Sequence, residues 1–496
     1  MSLHANLTPE ARQRLLAQRR TSTLGSVIIA LLATFLLGII LLIIGIVTSP
    51  NQVDQIITYK APPAVEKPLT RPTVPLEITR MPTSPSRMAS QVIIANLPSA
   101  VAIPTSEIQF PEPTADIGND GNFGEVFYGG GTGQGFMNNI PTVMKKRCSK
   151  SDRLQRLKES GGPEECEAAV VESLRWLQKT QNRDGSWTGQ QQVGMTGLAL
   201  LAYLGHCETA GSEEFGETVL NAILYLVDLS MKNNGRLASD FKEDHWCYEH
   251  AIGTYALAEA YTLTGTFDEN IPRLEDAVQA SGQFLINSQH LSGGWDYGYS
   301  EDGARGGDLS IVGWHLQALK ACKLTGLDFK NLRSCAKKGL AYVESCQLPS
   351  GAMGYTGPVL DGGRDGSSLA AVGALSTQIW SASSRVSTKA CRWIDQEMKF
   401  SWDTPDSDLY GHYYATQAMI NHGGEAWTRY NSLFSKQVLT NQAADGSFNP
   451  VSNGGPVNAP GGAFAGNSAF AKHYRTCLAT LMLEVYYRFL PATASK

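Results

Sequence analysis

The sequence predicts an all-α protein, namely an α/α toroid of about six helical hairpins that follows one transmembrane helix and a proline-rich linker. Three observations predict it. First, an uncharged apolar run lies near the N-terminus. Second, prolines are concentrated in the stretch that follows this run. Third, a glutamine–glycine–aromatic register recurs between amphipathic segments from about residue 165. Such recurrence, here at about 50 residues, is typical of stacked helix pairs, because each unit needs neighbours to bury its apolar face.

The apolar run from Val27 to Val47 has no charged residue. A helix of that length, rising about 1.5 Å per residue, would be about 30 Å long and would match the hydrocarbon core of a bilayer. The run is longer than the apolar region of a signal peptide, and no small-x-small cleavage site is clear. Four arginines precede it: Arg12, Arg14, Arg19 and Arg20. We therefore expect residues 26–48 to span the membrane once, with residues 1–25 cytoplasmic and the rest extracytoplasmic.

Twelve of the 23 prolines fall between Pro50 and Pro113. Proline without helical periodicity favours extended chain, so residues 49–164 are predicted to form a proline- and glycine-rich tether. Residues 165–496 are then the repeat domain. The net charge of -5 gives no basic face, and no nucleic-acid partner is expected.

All nine cysteines lie at or beyond Cys148, on the side of the membrane that is expected to be oxidising. Cys148 and Cys166 flank the start of the helical domain and form the disulfide candidate. Four other cysteines fall in apolar helical patterns and are expected to be buried thiols: Cys207, Cys247, Cys322 and Cys477.

The repeat register places a glycine four positions after a glutamine. It occurs at Gln181, Gln289, Gln347 and Gln442, and in three of the four an aromatic residue stands six positions after the glutamine. Glycine lets the chain leave a helix through a left-handed conformation, and the glutamine amide can bond to the turn backbone. A second helix rich in small residues follows each copy, as expected for a crowded inner ring.

The pattern from Trp176 to Trp187 resembles the repeat of class II terpene cyclases and protein prenyltransferase β subunits. The whole arrangement is similar to bacterial membrane-anchored prenyltransferase and squalene oxidase repeat proteins. The resemblance covers about the last two-thirds of the chain and implies the toroid fold and a place in the bacterial inner membrane. It says much less about activity, because the repeat marks turns rather than reacting atoms.

A cyclase of that kind would need an Asp-x-Asp-Asp acid. The nearest match is Asp406-Ser407-Asp408-Leu409, in which leucine replaces the last aspartate. Asp408 is the candidate acid and precedes an inner helix with three tyrosines, whose ring faces could stabilise a carbocation. An aspartate ahead of a helix is also an ordinary N-terminal cap, and capping is the preferred interpretation.

The segment from Asp244 to His250 is the nearest approach to a metal site. Cys247 and His250 lie one turn apart, as do His245 and Glu249, but the two pairs point in different directions. We expect neither a metal nor another cofactor.

Several polar residues lie at or near the starts of the predicted inner helices, which in a toroid gather around one mouth. The candidate ligand-binding residues are Glu249, His250, Asp308, His315, His412, Tyr413 and His473. The leading hypothesis is a tethered binding or interaction module that receives a small molecule, a glycan or a protein at this mouth. One alternative is a terpenoid cyclase-like isomerase that uses Asp408. A second is a polysaccharide-acting enzyme with Glu249 and Asp308 as paired carboxylates.

Overall fold

The computed structural model describes residues 147–266, 270–299, 306–360, 365–380, 384–457 and 464–488. The predicted cytoplasmic segment, the membrane span and nearly all of the tether lie outside these ranges. No helix within the ranges is long and apolar enough to cross a bilayer.

The described ranges are helical, with inner and outer helices alternating along the chain. Helix α1 (Lys150–Glu159) comes first, inside the stretch predicted as tether. The outer helices are α2 (Glu165–Thr180), α4 (Gly216–Lys232), α6 (Leu274–Asn287), α8 (Leu332–Ser345), α10 (Ser384–Glu397) and α12 (Gly424–Thr440). The inner helices are α3 (Gln192–Gly205), α5 (Trp246–Thr266), α7 (Leu309–Leu324), α9 (Ser367–Ile379), α11 (Leu409–His422) and α13 (Ala469–Leu483). Helix α14 (Val485–Arg488) ends the series, and two short 3-10 helices lie at Tyr297–Tyr299 and Val451–Gly454.

The inner helices form a closed ring. Each of α3, α5, α7, α9 and α11 packs against the next inner helix, and α13 returns to pack against α3. Burial explains why α3 is apolar all round, since every one of its residues from Val193 to Gly205 is buried. The predicted toroid of six hairpins is therefore present in the described ranges.

The repeated glutamine joins each turn to the next hairpin. The Gln289 side-chain nitrogen donates to the carbonyl of Gly293 in its own turn and to that of Cys335 in α8, both at 2.8 Å. Gln442 makes the corresponding bond of 2.7 Å to Ala169 in α2, so the last turn is fastened to the first outer helix. The predicted bond to the turn backbone is confirmed at Gln181, Gln289 and Gln442, and the separate bond from Gln442 to Ala169 closes the ring.

The disulfide prediction is wrong. Cys148 is bonded to Cys207, with 4.9 Å between the Cα atoms, and Cys166 is a buried free thiol in α2. Cys207 is consequently not the buried thiol that its apolar surroundings predicted. The pairing depends on where the entering chain meets the end of α3, and sequence spacing does not contain that approach. Cys247, Cys322 and Cys477 are buried free thiols, as predicted.

Buried ion pairs fill the end of the ring where the inner helices finish. Arg147 and Arg488 both bond to Glu259 of α5, at 2.9 and 3.0 Å. Arg488 also donates to the Leu201 carbonyl in α3 at 2.6 Å. The entering chain and the terminal helix thus pack together at this end, and the candidate site lies at the opposite one, where the inner helices begin.

Candidate functional site

Glu249 lies in the first turn of α5 and caps the neighbouring inner helix. Its Oε2 accepts from the backbone N–H groups of Val193 and Gly194, at 3.0 and 3.3 Å, and from Ser239 Oγ at 2.5 Å. Burial raises the pKa of Glu249, while these hydrogen bonds act in the opposite direction. The structure therefore places this candidate ligand residue in a helix cap, where it supplies acceptors to the start of α3.

His250 and His315 face the packing between hairpins rather than the mouth. His250 Nδ1 accepts from the Leu237 backbone N–H at 3.1 Å. The His315 ring stacks on Trp295 with centroids 4.7 Å apart, and its Nε2 is 2.8 Å from Tyr299 Oη. Burial lowers the pKa of both histidines to about 3, so both are neutral at pH 7.

His412 and His473 are also held in packing. His412 Nδ1 lies 2.7 Å from Tyr430 Oη, and its Nε2 lies 3.1 Å from the carbonyl oxygen of Lys399. His473 Nε2 lies 3.0 Å from the carbonyl oxygen of Met195. Burial lowers the pKa of each to about 4. The four candidate histidines therefore do not converge at the mouth; each fastens one helix to a neighbouring segment.

Asp308 and Tyr413 have local roles as well. Asp308 Oδ1 accepts from the Ser310 backbone N–H at 2.9 Å and caps α7. Tyr413 stacks on Trp314, with centroids 5.2 Å apart, and donates to Gln317 Oε1 at 3.1 Å. The carboxylate pair that the polysaccharide hypothesis requires gains no support, because Glu249 and Asp308 each cap a different helix.

Asp408 differs from the other candidates because it borders a cleft between the starts of α11 and α13. The space in this cleft is about 310 Å³, including its opening to solvent. The lining residues are Ser407, Asp408, Leu409, Tyr410, Val451, Val457, Phe464, Ala465, Tyr474 and Arg475. Of the acid and ligand residues predicted from the sequence, only Asp408 lines it.

The Asp408 side chain does not cap its own helix, although capping was the preferred interpretation. It stands at the N-cap of α11 without a side-chain bond to that helix, and its Oδ2 accepts from Ser368 Oγ of α9 at 2.7 Å. Gly411 leaves room for this contact, since a Cβ there would lie 2.8 Å from Asp408 Oδ2. The carboxylate is therefore oriented by a neighbouring inner helix and stays at the edge of the cleft.

Aromatic rings form much of the cleft wall. Tyr474 stacks on Phe464 with centroids 3.9 Å apart, and Tyr410 meets Tyr414 edge to face at 5.1 Å. Burial raises the pKa of Tyr410 and Tyr474, and the nearby Asp408 charge raises that of Tyr474 further. Both phenols are consequently protonated at pH 7 and can act as neutral hydrogen-bonding groups.

Arg475 is a charged residue of the cleft that the sequence did not single out. Its Nη1 donates to the carbonyls of Phe464 and Gly466, at 2.9 and 2.5 Å, and its Nη2 lies 3.4 Å from that of Phe448. It is buried and holds the segment ahead of α13 against the cleft. The sequence did carry a signal, since an arginine within an apolar inner helix must find buried partners.

The segment that came nearest to a metal site does not assemble one. The Cys247 thiol lies 3.6 Å from the carbonyl oxygen of Asp244, whereas His250 Nδ1 accepts a hydrogen bond from the Leu237 backbone N–H. Within the described ranges, no three His, Cys, Asp or Glu side chains are grouped to hold a metal ion.

Comparison with known proteins gives weak matches and only at the level of structure. No protein-family model and no curated protein matches the chain. Type II terpene cyclase MstE from Scytonema aligns with a TM-score of 0.41 and 12% identity, over 67% of this chain and 98% of the cyclase. A variant of that cyclase in complex with geranylgeranyl dihydroxybenzoate aligns with a TM-score of 0.43 and 12% identity, over 68% of this chain and all of the cyclase. A protein from Actinoplanes aligns with a TM-score of 0.41 and 14% identity, over 65% of this chain and 99% of its own.

Similarity this distant carries no activity over to this chain. The closed ring is established by its own helix packing, and the candidate site by the cleft at the starts of α11 and α13. The described part of the chain is thus a ring of six helical hairpins with a small aromatic cleft, and Asp408 and Arg475 are the charged residues among the described ones that line it.

Proposed function

We propose that the ring is a ligand-binding domain and that the cleft between α11 and α13 holds a small molecule. The observation that carries the proposal is the position of Asp408. Its carboxylate is not used to cap its own helix, is oriented by Ser368 and lies among aromatic side chains. A concave site with apolar walls and a few polar groups is the usual form of a small-molecule site.

The size of the cleft favours a small ligand. The figure of about 310 Å³ includes space that is open to solvent, so the cleft itself would enclose only a small part of a ligand. Asp408 would accept a hydrogen bond from the ligand, and Tyr410 and Tyr474 would cover its apolar part. Removing a charge-assisted hydrogen bond typically costs about 1.5–3 kcal/mol.

Native mass spectrometry of the purified full-length chain tests this proposal. We expect a co-purifying small molecule that is retained in Asp403→Asn and loses about tenfold or more in affinity in Asp408→Asn. Asp403 is an exposed aspartate of the same loop and is the matched control. A bare polypeptide mass from the wild-type chain would contradict a small-molecule site and favour a protein partner.

A terpenoid cyclase-like isomerase is the second candidate, because the same carboxylate stands beside tyrosine rings. In that reaction the Asp408 carboxyl would add its proton to a terminal alkene, the carbocation would close a ring, and a neighbouring carbon would lose a proton to a base. The product would be an isomer with fewer double bonds. Leu409 in place of the last aspartate and the small cleft both weigh against a long polyene.

Incubation with squalene and with geranylgeraniol separates the two candidates. An isomerase would give products of unchanged mass from the wild-type chain and from Asp403→Asn, and none from Asp408→Asn. The absence of any isomerised product from the wild-type chain would rule out this candidate for these substrates and leave the binding proposal intact.

We also propose that residues 26–48 anchor the chain in a bacterial inner membrane, with the N-terminus cytoplasmic and the ring extracytoplasmic. The uncharged run and the arginines ahead of it support this topology. The Cys148–Cys207 pair supports it too, because disulfides persist in oxidising compartments. The redox state of this pair in cells tests the placement, since a cytoplasmic ring would hold both as thiols.

A further inference from the structure

Arg475 is a buried cation without an acidic partner in the described part of the chain. Its side chain is 1% exposed, and no carboxylate within the described ranges forms an ion pair with it. The segment 458–463, which precedes Phe464, contains no acidic residue. Burial lowers the pKa of Arg475 to about 10. A buried charge of this kind is normally paired, since removing an ion from water is unfavourable unless an opposite charge compensates.

The other buried arginines of the ring do have carboxylate partners. Arg147 and Arg488 both bind Glu259, and Arg153 donates to Glu167 Oε1 from Nε at 3.0 Å and from Nη2 at 2.7 Å. Arg475 alone among these four meets only backbone carbonyls. The difference indicates that its acidic partner comes from outside the described part of the chain.

The edge of the guanidinium that would bind an acid is buried and makes the fewest hydrogen bonds. Nη1 of Arg475 bonds to two carbonyls, Nη2 has one long contact of 3.4 Å, and the buried Nε has no hydrogen-bond partner. Two exposed arginines bind carboxylates through this same pair of atoms. Nε and Nη2 of Arg175 donate to Glu214, and Nε and Nη2 of Arg429 donate to Asp395. Two parallel N–H groups on this edge match the two oxygens of a carboxylate or phosphate.

We infer that the cleft recognises a small apolar molecule with an oxyanion head group, which the Nε–Nη2 edge of Arg475 binds. The inference rests on the proposed function and specifies its ligand. The aromatic pair of Tyr474 and Phe464 would cover the apolar part. Asp408 carries the opposite charge at the same cleft and orients the ligand, because it repels the oxyanion and accepts a hydrogen bond from another part of the molecule.

Calorimetric titration of the purified full-length chain tests the inference with benzoate, phenyl phosphate and the neutral isostere benzamide. We expect both anions to bind at least tenfold more tightly than benzamide. Benzoate and phenyl phosphate share the head-group charge, and their relative affinities distinguish a carboxylate from a phosphate ligand. Hydrogen exchange should show protection by the bound anion around Phe464 and Tyr474.

Two substitutions at Arg475 test whether its guanidinium edge causes the preference for anions, and a third substitution, at Arg429, is the control. Arg475→Lys keeps the charge but loses the paired N–H geometry, so benzoate affinity should fall about tenfold or more. Arg429→Lys is the matched control, because Arg429 is exposed and already paired with Asp395, and its benzoate affinity should be unchanged. Arg475→Gln should bind benzoate no better than benzamide.

The outcomes separate this inference from the proposed function. Benzamide binding as tightly as benzoate, with protection at the cleft, would overturn the oxyanion inference and leave the binding site standing. Failure of all three probes to bind, in a chain that also carries no co-purifying small molecule, would overturn both. The wild-type comparison of charged and neutral probes decides the question even if Arg475→Gln does not fold.

Discussion

Two aspartates occupy equivalent positions in the ring and have different roles. Asp308 and Asp408 both precede an inner helix, and the Asp308 side chain caps its own helix whereas that of Asp408 turns to Ser368. The carboxylate of Asp308 thereby contributes to the start of α7, in the way that an N-cap usually does. The Asp408 carboxylate instead lines the cleft, and for this reason we place the candidate site there.

Four of the five buried histidines in the described ranges make stability depend on pH in the same direction. Their pKa values are lowered by burial, so the folded chain binds fewer protons than the unfolded chain once the pH falls below about 6.5. The four are His250, His315, His412 and His473. Each contributes stability that is present above its unfolded pKa and is lost on acidification, at up to about 1.4 kcal/mol per pH unit.

Two glutamates oppose this trend over the same range. Burial raises the pKa of Glu484 to about 8 and also raises that of Glu249, and both contribute stability that is lost as the pH rises. Burial lowers the pKa of His206, but its hydrogen bonds to Glu167 and Glu208 raise it by more, so His206 opposes the trend as well. Because the four histidines outnumber these three groups, we expect the free energy of unfolding to fall as the pH drops from 7 to 5.

Denaturant unfolding at several pH values between 5 and 7.5 measures this slope. His315→Gln should reduce the slope by about one proton. A stability that does not change between pH 7 and pH 5 would contradict neutral burial of these histidines.

At the scale of the element, a turn can require glycine for two separate reasons, namely a left-handed backbone conformation and a close approach to a neighbouring segment. Gly293 has a φ of 92°, and a Cβ at this position would collide with the carbonyl oxygen of Lys338 in α8. Gly423 has a φ of 74° but open space around it. Gly189 has no positive φ, and a Cβ added there would have no neighbour within 4 Å.

These three glycines form a graded series of alanine substitutions. We expect Gly293→Ala to lower the free energy of unfolding most, by about 3 kcal/mol, from the left-handed backbone together with the collision. Gly423→Ala should cost about 1–2 kcal/mol from the backbone alone. Gly189→Ala should change stability little. Urea unfolding measures all three, and equal losses for Gly293→Ala and Gly423→Ala would show that the close approach to α8 does not matter.

At the scale of the whole molecule, stability depends on closure between distant parts of the chain. Gln442 fastens the last turn to α2, and Cys148 is bonded to Cys207, 59 positions away. A loop of that length removes enough entropy from the unfolded chain to stabilise the fold by about 4 kcal/mol in the chain-entropy model.

Reduction of the disulfide should therefore lower the free energy of unfolding by about 4 kcal/mol or less. Denaturant unfolding with and without dithiothreitol measures this difference, and a Cys148→Ser/Cys207→Ser variant should not respond to the reductant. In chain taken from its host and alkylated before reduction, Cys148 and Cys207 should be protected. Alkylation of both would contradict the extracytoplasmic placement of the ring.

The repeat register was sufficient to predict the helical hairpins and the turn chemistry. A glutamine four positions before a glycine describes a local structure, and the bond of Gln289 to Gly293 follows from it, whereas the bond of Gln289 to Cys335 in the next hairpin does not. The thiol environments of Cys247, Cys322 and Cys477 were equally predictable, since apolar helical neighbours imply burial.

The site could not be predicted as well, because side-chain direction depends on tertiary packing. Residue types at the starts of inner helices indicated a mouth, but not which of the candidate side chains would face sideways into the packing between hairpins. Arg475 was missed, since nothing local distinguishes a guanidinium that meets carbonyls from one that meets a carboxylate. The Cys148–Cys207 bond was missed because it joins segments whose approach exists only in the closed ring.

The sequence by itself determined the helical class, the hairpin repeat and the membrane-span prediction, because these depend on periodicity and composition along neighbouring residues. Only the tertiary structure decided that Asp408 and Arg475 border the same cleft, that Glu249 caps α3, and which cysteines are bonded. The physical reason is the distance along the sequence between the residues that must contact each other. Helix formation depends on contacts within a few residues, whereas the cleft depends on how six hairpins meet around a closed ring.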